Sequence, residues 1–174
     1  MLRLSASLVN QPILSLRLGG RIGVAQEPVI DPHDLKILGW WCKVPGKSTQ
    51  EILLTEQVRQ YSSAGLAVDD TDALAEPEDL VRHKEILEID FELLNKPVRN
   101  KRGHIGRVED YSYNDGMFVQ KLYVGKPLHR VLTSSPTVLI DRSQILEVND
   151  DHILVKDTEV TQGAEEPAPV PALA

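Results

Sequence analysis

Asp31, His33 and Asp34 lie close enough in the sequence to suggest a metal site. Two carboxylates and an imidazole are ligands that can bind a divalent cation. The same stretch has Asp31 at its first position and Pro32 at its second, which is typical of a type I turn. Because no further ligand can be placed beside these residues from the sequence, we predict a turn and no metal site.

Cys42 is the only cysteine among the 174 residues, which excludes an internal disulfide and a thiolate metal cluster. It lies in an apolar stretch, and its basic neighbour Lys43 should point to the opposite face of a strand. We therefore predict a buried, unreactive thiol and a cytoplasmic protein.

No combination of residues predicts catalysis. The other histidines are scattered, and the sequence lacks a Ser-His-Asp order, a phosphate-binding loop and a dinucleotide fingerprint. An active site needs titratable groups that converge in a pocket. We therefore predict that the protein is not an enzyme, with no catalytic residues and no cofactor.

The densest basic stretch has four Lys or Arg residues and one His within nine positions. Such a stretch suits contact with RNA phosphates, although it is equally typical of a solvated turn between strands. Aromatic side chains that could stack on bases would favour RNA, and Tyr111 and Tyr113 are the nearest ones. The candidate RNA-binding residues are Arg99, Lys101, Arg102 and Arg107.

The segment from Asp70 to Glu92 has nine acids against two bases. Pro77 suits the first turn of a helix, and Glu78 and Asp79 lie near its positive end, so we predict a short helix over residues 77–87. The acidic surface is either a solvated helix face or a docking surface for a basic partner such as a ribosomal protein. Glu78 and Asp79 are therefore candidate partner-binding residues.

Trp40 and Trp41 are adjacent within the predicted strand over residues 36–44. Neighbouring strand residues point to opposite faces, so both rings cannot lie in one core. One ring is expected in the core, and the other against the second unit or against a partner, since tryptophan is enriched at interface hot spots. Both are candidate partner-binding residues.

The chain contains two copies of one unit. Asn10 and Pro12 recur 85 positions later as Asn95 and Pro97. A second set recurs 83 positions later, and a third set 87 positions later. The second set is Gly20, Ile22 and Gly23 with Gly103, Ile105 and Gly106, and the third is Gln57, Leu66, Val68 and Asp70 with Gln144, Ile153, Val155 and Asp157.

Short strands separated by turn signals predict an all-β fold of two small antiparallel barrels in tandem, joined by a short helix. The Asn114-Asp-Gly116 stretch predicts a hairpin with a two-residue primed turn. Residues 125–135 are predicted to hold a second short helix. The predicted divisions are a first barrel over residues 1–72, a helical linker over 73–91, a second barrel over 92–160 and a disordered tail over 161–174.

The repeated pattern resembles the PRC-barrel family. It matches at Asn10-Gln-Pro-Ile-Leu-Ser15 and Gly20-Arg-Ile-Gly-Val24 in the first unit, and at Ile105-Gly-Arg-Val108 and Ile153-Leu-Val-Lys-Asp157 in the second. Relatives in the photosynthetic reaction-centre H subunit and in a 16S rRNA-processing factor use this domain as a docking module. The resemblance implies a fold and a non-catalytic docking role.

The net charge of −7 opposes wholesale binding to nucleic acid or to anionic lipid, but permits a local basic patch. No apolar run approaches the roughly 18–20 residues of a membrane span. Residues 1–26 imitate a transit peptide, yet part of them recurs inside the chain, so they are expected to be folded protein. We therefore predict a tandem PRC-barrel adaptor that binds a protein or ribonucleoprotein, with an RNA-binding, ribosome-associated factor as the alternative.

Overall fold

A computed structural model describes residues 1–126 and 137–157, and these residues form an all-β fold with one short α-helix. The predicted β-rich class is therefore confirmed. In chain order the elements are β1 (Arg3–Leu4), β2 (Gln11–Ser15), β3 (Gly20–Asp31), β4 (Lys36–Lys43), β5 (Glu51–Leu54), β6 (Val58–Ser62), β7 (Gly65–Val68), β8 (Leu74–Ala75), α1 (Lys84–Ile89), β9 (Pro97–Asn100), β10 (Gly103–Tyr113), β11 (Val119–Gly125), β12 (Thr137–Asp141), β13 (Ile145–Val148) and β14 (Ile153–Val155).

The strands form two sheets with the same internal order. The first sheet runs β6-β7-β2-β3-β4-β5-β8, and the second runs β13-β14-β9-β10-β11-β12, with β1 added beside β10. Within the described residues each sheet contains one parallel pair, β2 with β7 and β9 with β14, and the other pairs are antiparallel as predicted. In the described residues the first and last strands of each sheet are not paired with each other. Closure of the sheets into barrels therefore stays a prediction.

The long central strands β3 and β10 carry irregularities at equivalent positions. A β-bulge inserts an extra residue and bends the strand locally. One shift lies at Ala25/Glu27 and, 83 positions later, at Val108/Asp110, with the extra residue in the long strand. The other lies at Val29/Ile30 and, 83 positions later, at Ser112/Tyr113, with the extra residue in the partner strands β4 and β11. The internal repeat therefore extends to the backbone geometry of both units.

Gly23 and Gly106, a repeated pair, lie where a neighbouring strand comes close. A Cβ at Gly106 would lie 1.9 Å from the carbonyl oxygen of Gly125, and one at Gly23 would lie 3.0 Å from that of Lys43. Glycine is required here because its missing side chain lets two backbones approach.

The two units meet through the loops of their central hairpins. The Ile37 N–H donates to the Met117 carbonyl at 2.7 Å, and the Val119 N–H donates to the Leu35 carbonyl at 3.0 Å. Leu35 and Met117 both have positive φ, at 52° and 62°, and both side chains are buried. Arg142 adds a third link, since its guanidinium donates to the carbonyls of Asp34 and Val119. One hydrophobic core cluster runs through both units.

These left-handed residues change both predicted turns. The loop after Asp31 closes with a hydrogen bond from the Leu35 N–H to the Asp31 carbonyl, so it is one residue longer than a type I turn. The hairpin at Asn114 forms as predicted, but its turn closes from the Met117 N–H to the Asn114 carbonyl, and Met117 holds the left-handed position. The two-residue primed turn was therefore wrong.

The N-terminal segment leaves its own sheet. Arg3 pairs with Tyr113 and Leu4 with Ser112 on β10. The Ser5 hydroxyl donates to the Asp110 carboxylate at 2.6 Å, which fixes the segment beyond the strand. The sequence places the N-terminal residues in a first barrel over residues 1–72, but Arg3 and Leu4 form a strand of the second sheet before the chain enters β2.

The linker forms less helix than predicted. The continuous helix over residues 77–87 is wrong, because two 3₁₀ turns, Pro77–Asp79 and Val81–His83, precede α1. Leu80 lies between the turns with a ψ of 57°, outside helical geometry, and Asp90 ends α1 in the left-handed conformation. The predicted helix over 125–135, apart from Gly125 in β11 and Lys126, and the predicted tail over 161–174 lie outside the described residues.

Alanine substitutions at the repeated glycines should rank by available space. We expect Gly106→Ala to lower the free energy of unfolding by roughly 2–4 kcal/mol, because the new methyl group overlaps the Gly125 carbonyl. Gly23→Ala should lower the free energy of unfolding by less, because its added carbon would lie 3.0 Å from the nearest carbonyl oxygen. Gly20→Ala, where no atom lies within 4 Å of the added carbon, is the matched control. Urea unfolding of the three variants measures the ranking, and equal midpoints for Gly106→Ala and Gly20→Ala would contradict it.

Candidate partner-binding groove

A groove of about 490 Å³ lies between the N-terminal segment, the second half of β3 and the linker around α1. Its apolar lining comes from all three. The N-terminal segment gives Val9, β3 gives Pro28 and Val29, and the linker gives Ile86 and Phe91. Because it is concave and largely apolar, the groove is the best candidate binding site in the described residues.

The charged side chains that line the groove are all acidic. They are Glu27, Asp90 and Glu92, and all three are exposed to solvent. No lysine or arginine is among the described lining residues. The groove therefore favours a ligand that combines apolar and positively charged groups.

Trp41 lies at one side of this groove and is half-buried. It pairs across the sheet with Glu27 on β3 and with Ile52 on β5, so the three side chains share the outer face of the first sheet. Trp41 also borders a second cleft of about 410 Å³, beside Glu76 and Glu78. The ring is thus flanked by carboxylates on both sides.

The structure brings together two of the four predicted partner-binding residues. Trp41 and Glu78 line the same cleft, and Asp79 is exposed in the same 3₁₀ turn as Glu78. Trp40 does not join them, because it is fully buried and its ring packs 6.2 Å from that of Tyr61. Trp40 therefore cannot contact a partner, and this correction follows from the alternation of side chains along β4.

Trp40 and Tyr61 both show the effects of burial in the core. The indole Nε1 of Trp40 finds no hydrogen-bond partner in the described part of the chain, so it sits in the core as an unsatisfied donor. Desolvation in the same region raises the pKa of Tyr61 to about 12. This side of the first sheet is packed interior.

The four predicted RNA-binding residues stay together on the hairpin of β9 and β10, and all four side chains are exposed. Two of them have partners: the Arg107 guanidinium donates to the Asn95 carbonyl at 2.8 Å, and the Arg102 Nε lies 4.0 Å from the Asp157 carboxylate. Tyr111 and Tyr113 are buried and cannot stack on bases. Any contact with RNA would therefore rely on the four cations.

Asp31, His33 and Asp34 form a turn. The Asp31 carboxylate accepts from the His33 backbone N–H and contacts the His33 ring at 2.8 Å, while the Asp34 carboxylate accepts from the Lys36 N–H. Within residues 1–126 and 137–157, no group of three or more His, Cys, Asp or Glu side chains is arranged to hold a metal ion.

Most of the groove could not be predicted from the sequence. Glu27, Phe91 and the N-terminal residues come from three distant segments, and no local pattern relates them. The repeat does relate two of the lining residues to each other. Glu27 pairs with Trp41 across β3 and β4, as Asp110 pairs with Tyr123 at the equivalent position of the second unit.

Comparison of the sequence with protein-family models and with curated proteins finds no match. Among the described residues, none of the helices has the length and apolar character needed to cross a membrane.

Cys42 should be unreactive while the protein is folded. Its thiol is buried and donates to the Trp40 carbonyl at 3.2 Å, and desolvation raises its pKa from 9.0 to about 12. At pH 8 we expect its reaction with a thiol-specific disulfide reagent to be at least about 10³-fold slower in the native protein than in denaturant, because the thiolate is the reactive form. Comparable rates in the two states would contradict the buried position.

Proposed function

We propose that this chain is a non-catalytic tandem PRC-barrel adaptor that binds a basic segment of a protein partner in the groove beside Trp41. The observation that carries the proposal is a half-buried tryptophan in an apolar groove whose charged lining is acidic. The matching strand order of the two sheets supports a tandem of one repeated unit.

The chemistry of the groove suits a protein ligand. A tryptophan presents a large, rigid surface, and such side chains dominate binding energy when a partner completes their burial. The carboxylates of Glu27, Asp90 and Glu92 would attract lysine and arginine, which steers and speeds association more than it tightens the complex. A ribosomal protein is one cytoplasmic partner with this chemistry.

The second cleft extends the acidic surface. Glu76 and Glu78 lie on the far side of Trp41, and Asp79 follows in the same turn. A basic segment that crosses the tryptophan would meet carboxylates in both directions. The acidic composition of the linker, visible in the sequence, thus supports a docking surface over a merely solvated one.

The first test of this function uses Trp41→Ala and the double variant Glu27→Lys/Glu92→Lys. Partners captured by the wild-type protein from nuclease-treated lysate would be purified and titrated against each variant. We expect Trp41→Ala to weaken binding by about 2 kcal/mol, roughly 30-fold, as for a hot-spot residue. The charge reversal should weaken binding most at low salt, where the attraction is least screened.

The control is Glu56→Lys, which reverses an exposed acid of the first unit outside the groove. It should bind as the wild type does. Circular dichroism melts would establish that each variant is folded. Equal affinities of folded Trp41→Ala and wild type would remove the groove from the proposed function.

The exposure of four cations on one hairpin favours a second candidate function, contact with RNA phosphates. This hairpin belongs to the second sheet, and it approaches the acidic groove at Arg107, whose guanidinium donates to the carbonyl of the lining residue Asn95. Without accessible aromatic rings the contact would depend on charge and would carry little sequence preference.

RNA binding would show a strong salt dependence. We expect Lys101→Ala and Arg99→Ala each to weaken binding to a single-stranded RNA and to reduce the slope of log K against log salt by about 1, because each removes one phosphate contact. Lys43→Ala, an exposed cation of the first unit, is the matched control. An affinity that is the same at low and moderate salt would exclude this function.

A further inference from the structure

The second half of β3 has a strand on one side only. β2 pairs with β3 from Gly20 to Ala25, and its register ends there. From Glu27 to Asp31, the strand neighbour of β3 in the described residues is β4 alone. The opposite edge of this stretch borders the groove, because Glu27, Pro28, Val29 and Ile30 all line it.

The equivalent edge of the second unit is occupied. β9 pairs with β10 as far as Arg107, and β1 then takes the same side at Ser112 and Tyr113. These two positions correspond to Val29 and Ile30, 83 residues earlier. The correspondence is structural as well, because a register shift falls between the two residues of each pair.

The linker does not supply the missing strand. Counting 85 residues from Arg3 and Leu4 leads to Glu88 and Ile89, which lie in α1. A helix directs its backbone N–H and C=O groups along its own axis, so it offers no extended ladder of hydrogen bonds to β3. The linker therefore packs near β3 and leaves a groove where the second unit has a strand.

We infer that an extended segment of the partner adds as a strand along the β3 edge from Glu27 to Ile30. Main-chain hydrogen bonds would give affinity in this mode, and pockets for alternate side chains would give specificity. The inference rests on the proposed function, because the segment occupies the same groove. The occupant of the groove is a peptide with alternating basic and apolar residues. Its basic side chains would lie near the carboxylates of Glu27, Asp90 and Glu92.

Pro28 has no backbone N–H, so it can offer a strand added at this edge at most its carbonyl. The second unit shows which ligand chemistry suits this mode. The segment that fills the equivalent edge, Leu2-Arg3-Leu4, itself alternates apolar and basic residues. The protein thus contains an example of the ligand chemistry that the groove would accept.

The test uses nine-residue peptides selected from a random displayed library against the full chain, then synthesised and titrated by calorimetry. Each backbone amide of the best peptide is N-methylated in turn. Strand addition predicts a period of two: methylation of amides that face β3 lowers affinity at least tenfold, and methylation of the alternate amides changes it less than threefold. Isotope-filtered NMR should place the peptide backbone against Pro28, Val29 and Ile30.

The outcomes separate this inference from the proposed function. Peptides that lose affinity in folded Trp41→Ala but show no alternation on N-methylation would overturn strand addition and leave the groove as a docking site. Peptides that bind Trp41→Ala as tightly as wild type would overturn both. In the selection, peptides that also bind the Glu27→Lys/Glu92→Lys variant are removed. If no peptide specific for the wild type is then recovered, that result also counts against both.

Discussion

A reciprocal pair of backbone hydrogen bonds joins the two units, and the positions of the N-terminal segment and of the linker depend on this junction. Leu35 and Met117 adopt left-handed conformations, which cost roughly 1–2 kcal/mol each for residues other than glycine. The conformations persist because each carbonyl accepts from the opposite unit and each side chain is buried in the shared core. Leu35 and Met117 are therefore buried at the junction, while His33, Asp34, Asp115 and Gly116 in the same two loops remain exposed.

This junction explains why the segments that precede each unit lie on the other one. With the hairpins joined at their loops, β3 and β10 run past the ends of β2 and β9 towards the opposite unit. β1 pairs with the part of β10 that extends beyond β9, and α1 lies beside the part of β3 that extends beyond β2. Because one filler is a strand and the other a helix, the arrangement is asymmetric, and the groove beside Trp41 is a product of that asymmetry.

The β-rich class and the separation of the tryptophans were predictable, because they follow from the spacing of turn residues and from alternation along strands. The parallel pairing of β2 with β7 and of β9 with β14 was not predicted. The crossing of Arg3 and Leu4 to the second sheet was not predictable, since a two-residue strand carries no periodicity. The left-handed conformations of Leu35 and Met117 in the two turns could not be predicted from the sequence either. Neither residue favours positive φ, and the interactions that hold them come from the other unit. Local signals likewise could not show that Leu80 interrupts the linker helix.

The two copies also separate what the fold requires from what a binding site requires. Positions that match between them are turn residues and close approaches such as Gly23 and Gly106, and they account for architecture. Trp41 and Tyr123 share a register position but differ in type. The hairpin turns differ as well: the first ends in Gly19-Gly20, and the second carries Lys101 and Arg102. Since one fold tolerates either residue at these positions, folding does not dictate the choice, and the unmatched aromatic and charged residues are where a partner's chemistry would be recognised.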